Sequence, residues 1–555
     1  MFLLKTVFRV VLALGLLSIY WMTPRPAQAA SFTVNDNRDL GDASPGNGVC
    51  AVSGGGCTLR AAVDEANALP GPNTITIPAM SITLSTDLRI VNHAGHDDSI
   101  AINGAGQQST IIDGNNHTRH FYFQERSGSH SLANLKLQNG LNANTTWPEK
   151  NGGCINNEAT LSLTNVTITN CRAFTGGGIY NQYASWEGNV PALNLTNVTL
   201  TNNAATGAEV GVVGGGGIFN GSTLIANAVT ISNNNAAAYG GGIYNNSYQT
   251  VTLTNFMIQN NTSHQGSGIN NDLGDITLQN GTISGNIASC CRLSDGGASG
   301  GGGIYNNEGT LYATNVHIAD NQATSQGGYG GGIYNFQSMV LTNVSLVNNR
   351  AHFGGGIYNG NYDGWPNSLA LTNVTISGNI GPASTSLDSE GAGIFNTNNG
   401  HITILNSTIS RNSGESGSGI TNRSINTSVT IKNTILAENT DTWGAPDCRG
   451  TITSLNYNLL GNTVGTPVVR CTINLQSSDI TGVSPLLDPL AGNPAYHALQ
   501  SGSAAVNGGT NNQCPSADIR GVSRPQGLVC DIGAYELQFN SPIKTVYSLV
   551  IIISR

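Results

Sequence analysis

The sequence contains few charged residues. Asp, Glu, Lys and Arg make up 10% of its 555 residues, against about a quarter in an average soluble protein. The 31 acidic residues outnumber the 22 basic ones, and the net charge is −9. Because proteins bind nucleic acids through dense basic surfaces, this balance argues against a nucleic-acid partner.

Two motifs that would indicate a known chemistry are also absent. No glycine run is followed by the Lys-Ser/Thr of a phosphate-binding loop, and no C-x-x-C pair offers the spacing of zinc ligands. The sequence therefore predicts no bound metal and no cofactor.

The first 29 residues have the pattern of a secretory signal. Lys5 and Arg9 precede an apolar run at 10–20, and Ala27-Gln28-Ala29 has the A-x-A form of a cleavage site. A membrane anchor is the alternative, but the apolar run is shorter than the ~20 residues that cross a bilayer. We expect an exported protein, outside the cell or on its surface, without a transmembrane span in the mature chain.

The ten cysteines are expected to form disulfides, because exported proteins fold in oxidising compartments. Local spacing predicts four pairs: Cys50–Cys57, Cys154–Cys171, Cys448–Cys471 and Cys514–Cys530. The adjacent Cys290 and Cys291 stay unassigned.

A hexapeptide, GGGIYN, recurs along the chain in close variants. Its Ile serves as a marker of each copy, and the markers are Ile155, Ile179, Ile218, Ile243, Ile269, Ile304, Ile333, Ile357, Ile394 and Ile420. The shortest spacing is 24 residues and the longer ones contain insertions. A fixed period of this length indicates a repeat architecture.

Asparagines form three lines in register with the markers. One line lies two residues after each marker, from Asn157 to Asn422. A second runs from Asn165 to Asn433 in the LTNVT-like segments, where Ala228 is the exception and has Asn227 beside it. A third lies six residues further on, from Asn203 to Asn439, with Cys171 in its place in the first unit.

Between these lines, apolar and polar residues alternate, as in LSLTNVTI at 161–168, which is typical of strands. Coils stacked at the ~4.8 Å strand spacing would place each Asn above its counterpart, where the amides can hydrogen-bond to one another. The sequence thus predicts an all-β fold: a right-handed, single-stranded parallel β-helix with coils of about 24 residues and Asn stacks at the corners. The glycines are interpreted as corner residues.

The ends are expected to cap the exposed strand edges. The segment 57–78, CTLRAAVDEANALPGPNTITIP, predicts a short helix followed by a strand. It resembles the CSLREA domain found near the start of exported bacterial β-helix proteins, and departs from it at Ala61. The segment 518–536, DIRGVSRPQGLVCDIGAYE, resembles the choice-of-anchor Q domain of bacterial surface proteins.

The repeats over 151–439 are similar to polymorphic outer membrane protein repeats and to the pectin-lyase-like superfamily. These resemblances imply an exported bacterial β-helix without implying a reaction, because this fold carries lyases, hydrolases and adhesins. We expect five regions: a signal peptide at 1–29, an N-terminal cap with the first coils at 30–150, repeated coils at 151–440, last coils with a C-terminal cap at 441–537, and a tail at 538–555.

Aromatic residues and insertions supply the candidate ligand contacts. The residue after the marker is aromatic in seven units, and it forms either an exposed stripe for sugars or a stack covered by loops. Two insertions at one corner carry Tyr183, Trp186, Tyr362 and Trp365, which we interpret as the ligand-binding residues.

Carboxylates near consecutive markers supply the candidate catalytic group. Asp388, Glu390 and Glu415 precede their markers by six, four and five residues, and His352 precedes its marker by five. Stacking would bring them toward one edge, where paired carboxylates can act as acid and base or hold Ca²⁺. A uronide lyase would also need a nearby Arg or Lys as base, but Arg350, Arg411 and Lys432 are scattered through the repeats, and none lies beside this group at a shared register.

The sequence favours a non-enzymatic display or adhesion module that binds extracellular glycans or surface proteins through its insertion loops. The alternative is a polysaccharide lyase or glycoside hydrolase of the pectin-lyase-like class, with Ca²⁺ as cofactor only in that case. The oligomeric state is left open.

Overall fold

The structure is a computed structural model. It describes residues 29–91, 99–124, 129–143, 150–183, 190–207, 213–289, 299–325, 327–360, 366–382, 390–424, 426–442, 444, 446–462 and 470–538. Within these ranges the chain is almost entirely β-structure, and 36 of its strands join in one network of hydrogen-bonded neighbours.

Each coil contributes a long strand that bends at its centre, or two shorter strands in its place. These strands are Ser31–Thr33, Asn73–Thr76, Met80–Thr83, Ile100–Asn103, Thr110–Asp113, Ser129–Gln138, Thr160–Thr169, Ala192–Thr201, Thr223–Ser232, Val251–Thr254, Met257–Gln259, Ile276–Ser284, Thr310–Ala319, Ser338–Val347, Asn367–Thr372, Thr375–Ser377, Gly400–Leu405, Thr408–Ser410, Ser428–Lys432, Ile435–Ala437, Cys448–Ser454, Leu459–Leu460, Cys471–Asn474 and Ile480–Thr481.

A second strand of each coil carries the marker or, in the first two coils, lies in register with the marker strands. These strands are Leu88–Ile90, Phe121–Phe123, Ile155–Asn157, Ile179–Asn181, Ile218–Asn220, Ile243–Asn246, Ile269–Leu273, Ile304–Asn306, Ile333–Asn335, Ile357–Asn359, Ile394–Asn396 and Ile420–Asn422. A third set is short: Arg172–Ala173, Ala204–Ala205, Asn235–Ala236, Thr262–Ser263, Ile287–Ala288, Gln322–Ala323, Ser413–Gly414 and Thr440–Asp441. One antiparallel pair, Leu487–Ala491 with Tyr496–Leu499, follows the coils.

Equivalent strands of successive coils pair in parallel and in register. Ile179, for example, lies between Ile155 and Ile218 in the neighbouring coils. All ten markers are fully buried and belong to one apolar core that continues along the coils. The predicted parallel β-helix is therefore confirmed.

The three glycines of the hexapeptide have separate structural reasons. Gly176 has φ +65°, a conformation that L side chains rarely adopt. A Cβ atom on Gly177 would lie 2.4 Å from the backbone of Ala204, and one on Gly178 would lie 2.6 Å from the Gly217 carbonyl oxygen. The corner thus needs one residue with positive φ and two without side chains, because the next coil passes so closely.

The first line of asparagines forms a continuous buried ladder. Each Nδ2 donates to the Oδ1 of the Asn in the following coil over 2.8–2.9 Å, from Asn157 through to Asn422. The third line does the same over 2.9–3.0 Å from Asn203 to Asn439, and ends on the buried carboxylate of Asp447. Two of the three predicted stacks therefore lie inside the solenoid.

The second line of asparagines lies where the long strands bend. Its residues have positive φ, as at Asn165 with φ 54°, a conformation that Asn tolerates better than most residues. Their amides donate to the preceding coil over 2.7–3.2 Å. Ala228 adopts the same conformation with φ 56°, and the neighbouring Asn227 accepts the hydrogen bond from Asn255.

One helix, α1 (Leu59–Ala68), lies at the N-terminal end of the coils. The Thr58 hydroxyl accepts a hydrogen bond from the Ala61 amide over 3.0 Å and so caps the helix. Leu59, Ala62, Val63 and Ala66 are buried in the same core as the coils. The helix therefore covers the first strands, as the segment's sequence predicted.

The C-terminal residues fold back along the outside of the bent strands. His497 Nε2 lies 2.8 Å from the Ser377 hydroxyl, and the Ala495 amide donates to Ser345 over 2.9 Å. Arg524 is buried with Glu536 at 3.6 Å, and Arg520 pairs with Asp518 at 2.7 Å. These charged groups hold the C-terminal residues together rather than facing an open site.

Four disulfides join Cys50–Cys57, Cys154–Cys171, Cys448–Cys471 and Cys514–Cys530, the pairs expected from local spacing. Cys290 and Cys291 lie outside the described residues. His120 lies beside Cys154 and Cys171 in a grouping of metal-ligand types. Because the disulfide occupies both sulfurs, this grouping offers no thiolate ligand. No helix in the described part of the chain is long and apolar enough to cross a membrane.

Candidate ligand-binding face

The aromatic residues that follow the markers lie outside the apolar core, yet most are buried. Tyr180 and Phe219 have no exposed surface, and Tyr358 is 1% exposed. Stacked and edge-to-face contacts join them from coil to coil, with ring centroids 4.6 Å apart between Tyr180 and Phe219. They therefore form a covered stack and not an exposed stripe.

A second row of side chains covers this stack. It consists of the residues four positions before the markers, which pair across coils by parallel bridges: Gly214, Tyr239, Gln265, Gly300, Tyr329, Phe353, Glu390 and Ser416. Tyr239 packs on Tyr244 with 5.6 Å between ring centroids, and Tyr329 packs on Tyr358 at 4.9 Å. We call the two rows together the aromatic face.

The aromatic face is interrupted where both rows change at the same place. Between Tyr244 and Tyr305, the middle coil carries Asn270 in the first row. In the second row, Gln265 and then Gly300 follow Tyr239. Tyr244 and Tyr305 are therefore separated by two coil steps, or roughly 10 Å. The coil between them contributes the amide side chains of Asn270 and Gln265.

A groove of about 320 Å³ fills this interruption. We call it the gap groove, and its lining residues are Tyr239, Tyr244, Gln265, Asn270, Asp272, Tyr305 and Asn307. Tyr244 and Asn270, each 2% exposed, form its floor. The other five side chains are half-exposed and surround it. The groove thus combines aromatic rings with amide groups and one carboxylate.

Hydrogen bonds fix the carboxylate of the gap groove. Asp272 Oδ2 accepts from the Tyr244 hydroxyl over 3.2 Å and from Asn246 Nδ2 over 3.4 Å, and Oδ1 accepts from Asn307 Nδ2 over 3.0 Å. Burial, with a contribution from the charge of Asp272, raises the pKa of Tyr244 well above its usual range. No Lys or Arg is among the lining residues that the structure describes. It is therefore a polar site of negative charge.

A second groove, of about 260 Å³, lies at the other end of the aromatic stack. Here Thr421 replaces the aromatic residue in register with Phe395. The lining residues are Tyr329, Phe353, Tyr358, Phe395, Thr397, Asn398, Arg423 and Ser424. Five coil steps, or about 24 Å, separate Asn270 from Thr421. The two grooves share aromatic walls but differ in the charge of their polar side.

One of the carboxylates proposed as an acid and base, that of Glu390, takes part in structural ion pairs. Glu390 is 2% exposed, and its Oε1 contacts Arg423 and Arg449, each at 2.8 Å. Two guanidinium groups thus engage the same carboxylate oxygen, so Glu390 Oε1 is occupied by structural contacts. The expectation that no Arg lies beside the carboxylates was wrong, because both arginines come from later coils.

His352 and Glu415, two other residues of the proposed catalytic group, lie near Glu390. Phe353, Glu390 and Ser416 are neighbours in register, so His352 and Glu415 lie at the same edge. Burial lowers the pKa of His352, and the charge of Glu415 opposes this shift. Asp388 lies outside the described residues.

Among the predicted ligand contacts, only Tyr183 lies in the described part of the chain. Its ring packs edge-on against Phe219 with centroids 5.6 Å apart, and burial raises its pKa above the usual range. Tyr183 therefore covers the aromatic stack. Trp186, Tyr362 and Trp365 lie outside the described residues.

Sequence reasoning missed the gap groove, although a signal was present. Aligning the units on their markers shows Asn270 in a column of aromatics, and Gln265 and Gly300 in a second column four residues earlier. The arginines that contact Glu390 leave no such signal, since Arg423 and Arg449 lie at unrelated positions in their units.

Comparisons with known proteins place the chain in no family. No protein-family model matches it, and no curated protein matches it. Among solved structures, pectate lyase Pel9A is similar with a TM-score of 0.30 and 14% sequence identity, covering 92% of this chain and 97% of that one. A similarity this weak assigns neither an activity nor a site to the chain.

Proposed function

We propose that this protein is an exported β-helix that binds extracellular glycans through its aromatic face, without cleaving them. The observation that carries the proposal is the gap groove, where the aromatic face opens between Tyr244 and Tyr305. Aromatic rings offer flat apolar surfaces to the C–H faces of sugars, and amides and carboxylates pair with sugar hydroxyls. The groove provides both kinds of contact.

The scaffold supports a binding role because it is rigid. Two buried asparagine ladders and a continuous apolar core fix each coil relative to the next. A binding surface on such a frame loses little conformational entropy when a ligand binds. Solenoids of this kind present long binding surfaces built from neighbouring repeats.

A location outside the cell accords with the four disulfides, which persist in oxidising compartments. The signal-like segment at 1–29 supports the same location. We extend the proposal to display on a bacterial surface, on the resemblance of 57–78 to the CSLREA domain and of 518–536 to the choice-of-anchor Q domain. The insertions with Trp186 and Trp365 are proposed to add further ligand contacts.

The alternative function is a polysaccharide lyase or hydrolase. It requires an acid and a base, or a Ca²⁺ site with a base, at the edge that carries His352, Glu390 and Glu415. The ion pairs of Glu390 with Arg423 and Arg449 weigh against this use of its carboxylate.

A glycan array combined with product analysis tests the proposal. The full chain should be retained on one class of glycan, and the eluted glycan should have its original length. No retention on any glycan would refute the proposal. Release of reducing ends or unsaturated uronides, lost in Glu390→Gln, would establish the alternative function.

A further inference from the structure

We infer that the gap groove is a subsite for a neutral sugar residue and that Asp272 and Asn307 select its adjacent hydroxyl groups. This inference rests on the proposed function and names its ligand class. It follows from three features of the groove: the spacing of its rings, the free capacity of its carboxylate, and the absence of Lys and Arg from its described lining.

The ring spacing suits an inserted sugar. Tyr244 and Tyr305 are in register with one coil between them, and that coil carries the short side chain of Asn270. Tyr239 closes the groove on one side, and at the opposite position of that row the Tyr334 ring packs over Gly300, 2.5 Å from where a Cβ atom would lie. A sugar ring seated on Asn270 would thus have aromatic rings on more than one side.

The carboxylate is held in place and keeps room for further hydrogen bonds. Asp272 Oδ1 accepts one hydrogen bond within the described residues, from Asn307, and each carboxylate oxygen has about two lone-pair sites. Asn307 carries a second amide proton beside it. A carboxylate next to an amide can pair with two neighbouring hydroxyl groups, accepting from one and donating to the other.

The charge of the groove selects against acidic sugars. A uronide carboxylate in this groove would lie near Asp272, and the lining residues within the described ranges include no Lys or Arg to compensate its charge. Like charges at short range in a partly buried site repel strongly. The other groove differs, because Arg423 lines it. The gap groove is therefore assigned to neutral glycans.

The test measures binding of the full chain to defined probes by isothermal titration calorimetry. The neutral probes are the hexasaccharides of cellulose, xylan and mannan, and the acidic probe is hexagalacturonate. Asp272→Asn is compared with Asp275→Asn, which removes the same charge from an exposed position outside the groove. Tyr305→Ala is compared with Tyr312→Ala, whose ring is 43% exposed on the bent strand of the same coil.

At least one neutral probe should bind, and hexagalacturonate should bind at least tenfold more weakly. Asp272→Asn should weaken neutral binding about tenfold and reduce the discrimination against hexagalacturonate. Tyr305→Ala should weaken it three- to tenfold. Asp275→Asn and Tyr312→Ala should bind as the unmodified chain does, and melting temperatures verify that each variant is folded.

Equal or tighter binding of hexagalacturonate by the unmodified chain would overturn the inference. Neutral binding that survives both groove variants would also overturn it, while leaving the proposed function intact. Loss of binding when EDTA removes divalent cations would also overturn the inference, because a bound cation and not the Asp272 carboxylate itself would then contact the sugar. Failure of the chain to bind any glycan on the array or in solution would overturn the proposed function as well.

Discussion

Removing one rung of the third asparagine ladder should destabilise several coils. The Asn286 side chain donates to Asn321 Oδ1 over 2.9 Å and to the Ile258 carbonyl over 3.1 Å. Its Oδ1 accepts from the Asn261 backbone amide and from Asn261 Nδ2, each over 3.0 Å. Asn286→Ala removes all of these hydrogen bonds and leaves the Asn261 amide buried without this acceptor.

A net contribution of about 1 kcal/mol for each of these four hydrogen bonds predicts a loss of about 4 kcal/mol. Because each coil contacts only its neighbours, the loss should be local. Amide hydrogen exchange should therefore accelerate around residues 258–321 more than at the ends of the solenoid. Denaturant unfolding, followed by circular dichroism, should shift to a lower midpoint.

The matched control is Asn235→Ala. Asn235 is exposed, and its amide donates to the Thr262 hydroxyl over 2.6 Å. Removing this hydrogen bond should lower the free energy of unfolding by less than about 1 kcal/mol, as for other exposed polar contacts. If Asn286→Ala unfolds at the same denaturant concentration as Asn235→Ala, the ladders do not stabilise the solenoid as argued.

Three further predictions concern stability. Ala228→Gly should stabilise the protein by about 1 kcal/mol, because Ala228 has φ 56°, and a lower thermal midpoint would contradict this. Burial lowers the pKa of His120 to about 4, so His120 binds a proton more tightly in the unfolded chain than in the folded one. Stability should therefore fall by about 3 kcal/mol as the pH drops from about 6.5 through 4. His120→Gln should flatten this part of the pH profile of unfolding, and an unchanged profile would refute the assignment. Glu390→Gln should lower stability by about 1–3 kcal/mol, because Arg423 and Arg449 lose their partner. Unchanged unfolding would show that the ion pairs contribute little.

Much of the fold could be predicted from the sequence because identical residues recur at identical positions. A stacked Asn satisfies the polar groups of the Asn above it, so the lines that end at Asn422 and Asn439 predicted the register of the coils. The bend in the long strands was less evident, since an Asn with positive φ, such as Asn165, resembles a ladder Asn in sequence.

The candidate site was only partly predictable. The insertions with Tyr183 directed attention to loops, whereas the gap groove is formed by a departure from the repeat at Asn270 and Gln265. The C-terminal chain reversal, in which His497 reaches Ser377, joins residues 120 positions apart and leaves no periodic signal. The same holds for Arg449 and Glu390, whose contact depends on how two coils superpose.

A crystal structure of the chain with a bound neutral oligosaccharide tests the central claim most directly. The account predicts an intact oligosaccharide with one ring over Asn270, between Tyr239 and Tyr305, and with hydroxyl groups within hydrogen-bond distance of Asp272 and Asn307. A cleaved oligosaccharide, or one bound beside His352 and Glu415 with the gap groove empty, would contradict it.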